Sequence, residues 1–295
     1  MISMIADVII VCIFDPVNTN VMNECLSNNF ILNGELQPVD LFDNSLVYEG
    51  ESIYEVIRMS KGKPVFFPDH FERLVTSTGL QKKKMLLGID SLKRDILVLA
   101  KSEKRKDLNL KIVFNYNQSD SYLMYFIEPV YPTTEQYKNG VKGALFFAER
   151  KDPESKVINH RLRSEIYHKL ILEGAYEALL VNNNNCITEG SRSNIFFIKE
   201  NNLITAPDEA VLGGITRKYI LEICRENGIN VKLTFIKASR ISDYNSVFMT
   251  GTSPTVLPFN CIDKTYFKVT NPLITQLRNM YLIKAEESIH QFNSQ

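Results

Sequence analysis

From Asn29 to the C-terminus, strand-length apolar runs alternate with segments of helical spacing, and turn residues separate most neighbouring pairs. A run of period 2 and a run of period 3.6 bury different faces, so one element type cannot absorb both. No internal repeat and no low-complexity segment is present. The mixture runs through both halves of the 295 residues, enough chain for two domains. A mixed α/β or α+β fold with two domains is therefore expected.

The punctuation places the elements. "NFILNGELQ" reads as a hairpin turned at Asn33-Gly34, and "SIYEVIRMSKGKPVFF" as a second, turned at Lys61-Gly62-Lys63-Pro64. "PDHFERLVTSTGLQ" opens with Pro68-Asp69 and has helical spacing at Phe71, Leu74 and Val75. "NLKIVFNYN" and "SYLMYFIEPV" are strands around a polar turn. "EPVYPTTEQYKNG" is polar and proline-containing, so it marks a boundary. A smaller α/β domain is expected over 22–132, a linker over 133–140 and a larger domain over 141–295. The second half reads as strand "VKGALFFAER", helix "RSEIYHKLILEGAY", strand "EALLVN", two strands in "CITEGSRSNIFFI", and strand "NNLITA". Helix "TRKYILEICRENG", closed by Gly228, strand "INVKLTFIK", the broken strand "SVFMTGTSPTVLPF" and a helix over 272–292 complete it.

Composition removes several function classes. Lys+Arg and Asp+Glu both number 34, so no net field would hold a nucleic acid or an anionic membrane. The basic run Lys101 to Lys111 reads as a solvated helix end and loop. The five cysteines (Cys12, Cys25, Cys186, Cys224, Cys261) are odd in number and widely spaced, and the four histidines do not pair at ligand spacing. Neither a disulfide framework nor a metal site is expected, and a reduced, cytoplasmic setting fits. The apolar stretch Ile5 to Phe14 is shorter than the roughly 20 residues that span a bilayer and lacks a basic leader. Residues 1–21 are read as an extension ahead of an ordinary start at Met22.

Three polar loops carry the chemistry. Gly213-Gly214-Ile215-Thr216 stands directly before a helix, where amides and the dipole favour an anion. Thr250-Gly251-Thr252-Ser253-Pro254 can form an anion-binding nest. Neither is a Walker or dinucleotide motif. The third, Glu189 to Asn194, sets a carboxylate, a glycine, two hydroxyls, an arginine and an amide between two strands. Lys156 lies between a strand and a helix, ordinarily the place of a solvated turn residue. In a desolvated pocket, its neutral amine can form a Schiff base. A carboxylate such as Glu189 can keep a pyridine nitrogen protonated, which makes the ring an electron sink. Lysine, carboxylate and phosphate loops are what pyridoxal 5'-phosphate requires.

In order, "YEGESIYEVIR", "DHFERL", "SKVINHR", "ITEGSRSNIFFI", "LGGITRKYI" and "FMTGTSPTVLP" resemble the class IV (fold type IV) pyridoxal-phosphate enzymes, from about Asn29 to Tyr281. That family holds branched-chain and D-amino-acid aminotransferases and aminodeoxychorismate lyase. The resemblance implies a two-domain D-amino-acid-aminotransferase-like fold with the cofactor at the domain junction, bound mainly by the larger domain, and a homodimer. It implies that Lys156 is the Schiff-base lysine and Glu189, 33 residues later, the ring-nitrogen partner. Arg73 would pair with the phosphate, as would Ile215, Thr216 and Thr252. Ser193 and Asn194 would steady the turn behind Glu189. Arg192 is left open between pocket and solvent.

The departures blur the substrate. Several members carry a tyrosine five residues after the lysine; here Arg161 stands there, and it could donate to the cofactor's ring oxygen. The strand end where some members hold an arginine for the substrate carboxylate reads Phe114-Asn115-Tyr116-Asn117. Lys111, or the amides of Thr252 and Ser253, would replace it. Tyr54 matches a substrate-pocket tyrosine, and reads equally as a core aromatic. The expected function is an aminotransferase moving an amino group between an amino acid and a 2-oxo acid, with a 4-amino-4-deoxychorismate lyase releasing pyruvate as the alternative. A non-catalytic cofactor-binding relative is disfavoured, because Lys156, Glu189 and Arg73 are kept together.

Overall fold

In the computed structural model, residues 24–292 are described. The extension read over 1–21, with Cys12, lies outside them. The chain divides into two units. Among the described residues, one holds 24–130 together with Ser155–His160 and 285–292; the other holds Tyr131–Glu154 and Arg161–Lys284.

The first unit is one antiparallel sheet with helices on it. Its strands are β1 (Asn29–Leu32), β2 (Glu35–Pro38), β3 (Glu51–Ser60), β4 (Lys63–Pro64), β5 (Leu108–Tyr116) and β6 (Ser121–Ile127), in spatial order β2-β1-β6-β5-β3-β4. Both expected hairpins are present. Asn33 and Gly34 have φ of 50° and 88°, and Lys61 and Gly62 of 54° and 77°, the left-handed pairs that match strand twist in two-residue turns. The helices are α1 (Ser45–Tyr48), α2 (Phe67–Leu80) and α3 (Ile89–Ser102). Every residue of β5 is buried, so both faces of the sheet are covered. Leu108, Leu110, Ile112 and Phe114 join Leu74 of α2 and Leu92, Ile96 and Leu99 of α3 in one cluster. Val113 joins Phe30, Val47, Leu123 and Tyr125 on the opposite face. Lys111 alternates with Val113 and therefore lies on that second face.

The second unit is a mixed sheet. After α4 (Thr134–Asn139) come β7 (Val141–Phe147), α5 (His160–Glu173), β8 (Glu177–Val181), β9 (Cys186–Gly190), β10 (Asn194–Lys199) and β11 (Asn202–Thr205). Then follow α6 (Ile215–Glu226), β12 (Val231–Leu233), β13 (Ile236–Lys237), β14 (Ser246–Gly251), β15 (Thr255–Ile262), β16 (Thr265–Tyr266) and α7 (Pro272–Gln291). The order is β12-β11-β10-β14-β15-β7-β8-β9-β13, with β16 on β15. The pairs β7–β8, β7–β15 and β11–β12 are parallel. Ile166 and Leu170 of α5 cover Ala144, Ala178 and Leu180.

Three expectations are corrected. The 133–140 segment is no linker: Thr133 and Gln136 form a reciprocal capping box, and the helix α4 follows. Ser155–His160 and the end of α7 count with the first unit, so a single cut near residue 140 does not separate the two. "INVKLTFIK" is two short strands that leave in different directions, β12 to β11 and β13 to β9. Helix α3 adds an element to those expected; its first turn follows Gly88, and its buried Leu92, Ile96 and Leu99 keep helical spacing.

Candidate active site

Within the first unit, Lys156 is pinned by its backbone. Its N–H donates to Ser77 Oγ at 3.2 Å, its carbonyl accepts from Tyr54 N–H at 3.1 Å, and Ile158 N–H donates to the Ser52 carbonyl. Val157 forms an antiparallel bridge with Ile53. A short segment thus docks beside the start of β3 and fixes the root of the lysine. Its Nζ lies 4.7 Å from the Tyr54 ring centroid, a cation–π contact.

The next residue of β3 points to the other sheet face. Glu55 is 1% exposed. Its carboxylate accepts two bonds from Arg73, Nε at 2.8 Å and Nη2 at 2.6 Å, and contacts His70 Nδ1 at 2.8 Å. Burial alone would raise the Glu55 pKa; the charge and bonds of Arg73, with His70, more than reverse that and hold it at about 2. Burial pushes His70 below its ordinary value against the pull of Glu55, and Arg73 and Lys156 add to the depression. Arg73 is therefore a guanidinium fixed by a bidentate pair, and α2 places it.

The sheet face that bears Tyr54 also carries Lys111, whose side chain is 2% exposed. It donates to Glu24 Oε1 at 2.6 Å. Glu24 Oε2 accepts from Tyr48 Oη at 2.7 Å and Tyr125 Oη at 3.0 Å. Tyr54, half-buried, has the Lys111 ammonium 5.8 Å from its centroid. Tyr116, on the strand end that lacks an arginine, donates its hydroxyl to the Lys84 carbonyl at 2.7 Å.

In the second unit, Glu189 is 3% exposed at the end of β9. It accepts from Arg150 Nη1 at 2.8 Å and from Leu212 N–H at 3.0 Å. The turn that follows is organised by Glu177, a carboxylate at the head of β8. Glu177 accepts from Ser191 Oγ at 2.5 Å, Ser193 Oγ at 2.8 Å and Ser191 N–H at 3.2 Å. The hydroxyls of "EGSRSN" thus serve a buried acid, and Gly190 is needed because a Cβ would meet Ser193 Oγ at 2.1 Å. Arg192 is exposed. Asn194 donates from Nδ2 to the Leu212 carbonyl at 2.9 Å.

That bond ties the turn to the loop before α6. Gly214 is the residue ahead of the helix, and a Cβ there would meet Asn194 Oδ1 at 2.0 Å. The amides of Ile215 and Thr216 open the helix, where no preceding turn supplies acceptors. Thr216 Oγ lies 3.3 Å from Tyr281 Oη. Thr252 and Ser253 sit in the turn between β14 and β15, braced by Tyr137 Oη on the Pro254 carbonyl at 2.9 Å. The Arg161 side chain is 91% exposed and pairs with Glu165 one helical turn on.

The amino-transferase class IV family model matches residues 52–262. The chain belongs to the class IV aminotransferases. D-alanine aminotransferase from Bacillus licheniformis is 26% identical over 237 residues, covering 76% of this chain and 83% of that protein. D-alanine aminotransferase from Listeria monocytogenes is 27% identical over 266 residues, covering 81% and 87%. The branched-chain amino acid aminotransferase from Thermobaculum terrenum, solved in its PLP form, has the same fold, with TM-score 0.77, 18% identity and coverage of 92% and 97%. Class IV aminotransferases as a family depend on pyridoxal phosphate. No helix among the described residues is long and apolar enough to cross a membrane.

Several residues of this family member escape a reading of the sequence. Glu177 leaves one trace, an acid heading the otherwise apolar strand "EALLV". Arg150, Ser77 and Glu24 leave none: Glu24 is 87 residues from Lys111, and only the fold joins them.

Proposed function

We propose that this chain is a pyridoxal-phosphate-dependent aminotransferase that moves an amino group between an amino acid and a 2-oxo acid. The carrying observation is Lys156, a lysine whose backbone is locked on β3 and whose amine faces Tyr54. The residues fit the cofactor by the chemistry of their donors. A helix entry without room for a Cβ at Gly214 suits a phosphate, and the hydroxyl of Thr250, buried in β14 across from Asn194, has no protein partner of its own. Ile215 and Thr216, with Thr252 and Arg73, would hold the phosphate, and Glu189 the ring nitrogen. When bound, pyridoxal phosphate supplies a carbonyl carbon that condenses with amines and a ring that accepts electrons.

The chain's own residues do the rest. Lys156 would hold the cofactor covalently and, when its amine is free, would carry away the proton that leaves the substrate Cα. Arg150 and the Leu212 N–H fix the direction of the Glu189 carboxylate. Glu55 fixes the Arg73 guanidinium. Ser193 and Asn194 hold the turn behind Glu189, Tyr54 lines the substrate side of Lys156, and the amides of Thr252 and Ser253 would meet a substrate carboxylate. A cytoplasmic homodimer accords with this reading.

A second reading is elimination of pyruvate from 4-amino-4-deoxychorismate, which would use the same lysine and cofactor. The test is an absorption spectrum of the protein with pyridoxal phosphate as L- and D-amino acids are added singly. A visible band lost with some donors supports the aminotransferase. Pyruvate released from 4-amino-4-deoxychorismate, with no response to amino acids, supports the lyase. Lys156→Ala should bind the cofactor without covalent attachment and lose turnover; full activity in that variant sinks both readings.

A further inference from the structure

Resting on the aminotransferase reading, we propose that Glu24 masks Lys111 and thereby restricts the substrates to acids with one carboxylate. Lys111 is the sole charged residue of β5, and its side chain is 2% exposed. A buried ammonium needs a counter-charge with its other hydrogen bonds satisfied. Glu24 supplies it at 2.6 Å, and the second Glu24 oxygen is taken by the hydroxyls of Tyr48 and Tyr125. The rings of Tyr48, Tyr54 and Tyr125 stand 5.6, 5.8 and 5.6 Å from the ammonium. The same Tyr54 ring receives Lys156 at 4.7 Å, so the masked cation and the amine at the centre of the proposed chemistry are neighbours of one aromatic ring.

This arrangement revises the role first read for Lys111. The carboxylate it holds is the chain's own. A substrate bringing a second carboxylate to Lys111 must displace Glu24 or sit beside it, and two carboxylates at one site repel. A neutral side chain meets tyrosine rings and a compensated charge pair instead. Glu24 is a specificity-determining residue, and it belongs to the segment that leads into β1.

Two measurements test this on the cofactor-loaded enzyme. Calorimetry compares binding of succinate and butyrate, and steady-state kinetics compares kcat/KM for matched amino acids with and without an acidic side chain. Wild type should favour butyrate and the neutral amino acid. Glu24→Gln should shift both ratios toward the dicarboxylate by about tenfold or more, the scale of one charge-assisted hydrogen bond. Glu24→Gln with Lys111→Met should cancel that gain, with circular dichroism confirming the fold. A wild type that prefers succinate, or a folded Glu24→Gln with unchanged ratios, overturns the proposal. A wild type that turns over no amino acid overturns the aminotransferase reading, while the succinate-to-butyrate ratio still judges Glu24.

Discussion

Replacing Glu177 with leucine should destabilise the second unit and disturb the turn that carries Glu189. The buried carboxylate accepts from the Ser191 and Ser193 hydroxyls at 2.5 and 2.8 Å. The Ser191 N–H keeps a second acceptor, the Ala178 carbonyl at 2.8 Å, so its loss is small. Ser193 is 8% exposed and would be left with a buried hydroxyl lacking its acceptor, while Ser191 is half-buried and partly recovers through water. An orphaned buried donor costs about 1–3 kcal/mol. The pair should together lose about 2–4 kcal/mol, a melting shift of about 5–10 °C for a chain of this size. Glu177→Gln keeps one acceptor oxygen but turns an amide donor toward a hydroxyl donor, so it should fall between the two. The assay is thermal unfolding of the cofactor-free protein, paired with the pH profile of the visible cofactor band, which reports on Glu189. A Glu177→Leu protein that melts within a degree of wild type, with an unchanged band, refutes the account of this turn.

Three further outcomes are expected. The Glu55 carboxyl, depressed from 4.5 to about 2, should contribute about 3 kcal/mol above pH 4.5 that is lost as pH falls toward 2, and depressed His70 should start the decline below its ordinary 6.5; urea unfolding at pH 7, 5 and 3 measures this, and equal stability at all three contradicts it. Gly214→Ala should weaken binding of pyridoxal phosphate by about tenfold or more, because its Cβ would meet Asn194 Oδ1 at 2.0 Å and shift the helix entry; titration of the cofactor band reads it, and unaltered affinity separates Gly214 from the phosphate. Thr250→Val should leave the cofactor-free protein as stable or more so by about 1 kcal/mol, since it removes a buried hydroxyl with no partner; a melting loss of several degrees without cofactor shows that the hydroxyl is bonded within the protein.

Much of the fold was legible along the chain. The Asn33-Gly34 and Lys61-Gly62 hairpins, helix α6 ending before Gly228 and strand β5 follow from local rules, because turn chemistry and periodicity are properties of neighbouring residues. The order of motifs likewise points to the family, since Lys156, Glu189 and the glycine-rich entry to α6 stand in order at characteristic spacing. Tertiary structure decided what those residues touch. Charges with no sequence proximity pair because folding removes water from them and each buried charge must find a partner. That is why Glu24 meets Lys111, why Glu55 claims Arg73 and His70, why Glu189 finds Arg150, and why the serines of "EGSRSN" converge on Glu177. Arg161 follows the same rule from outside the core: α5 turns it outward, where solvent and Glu165 satisfy its charge.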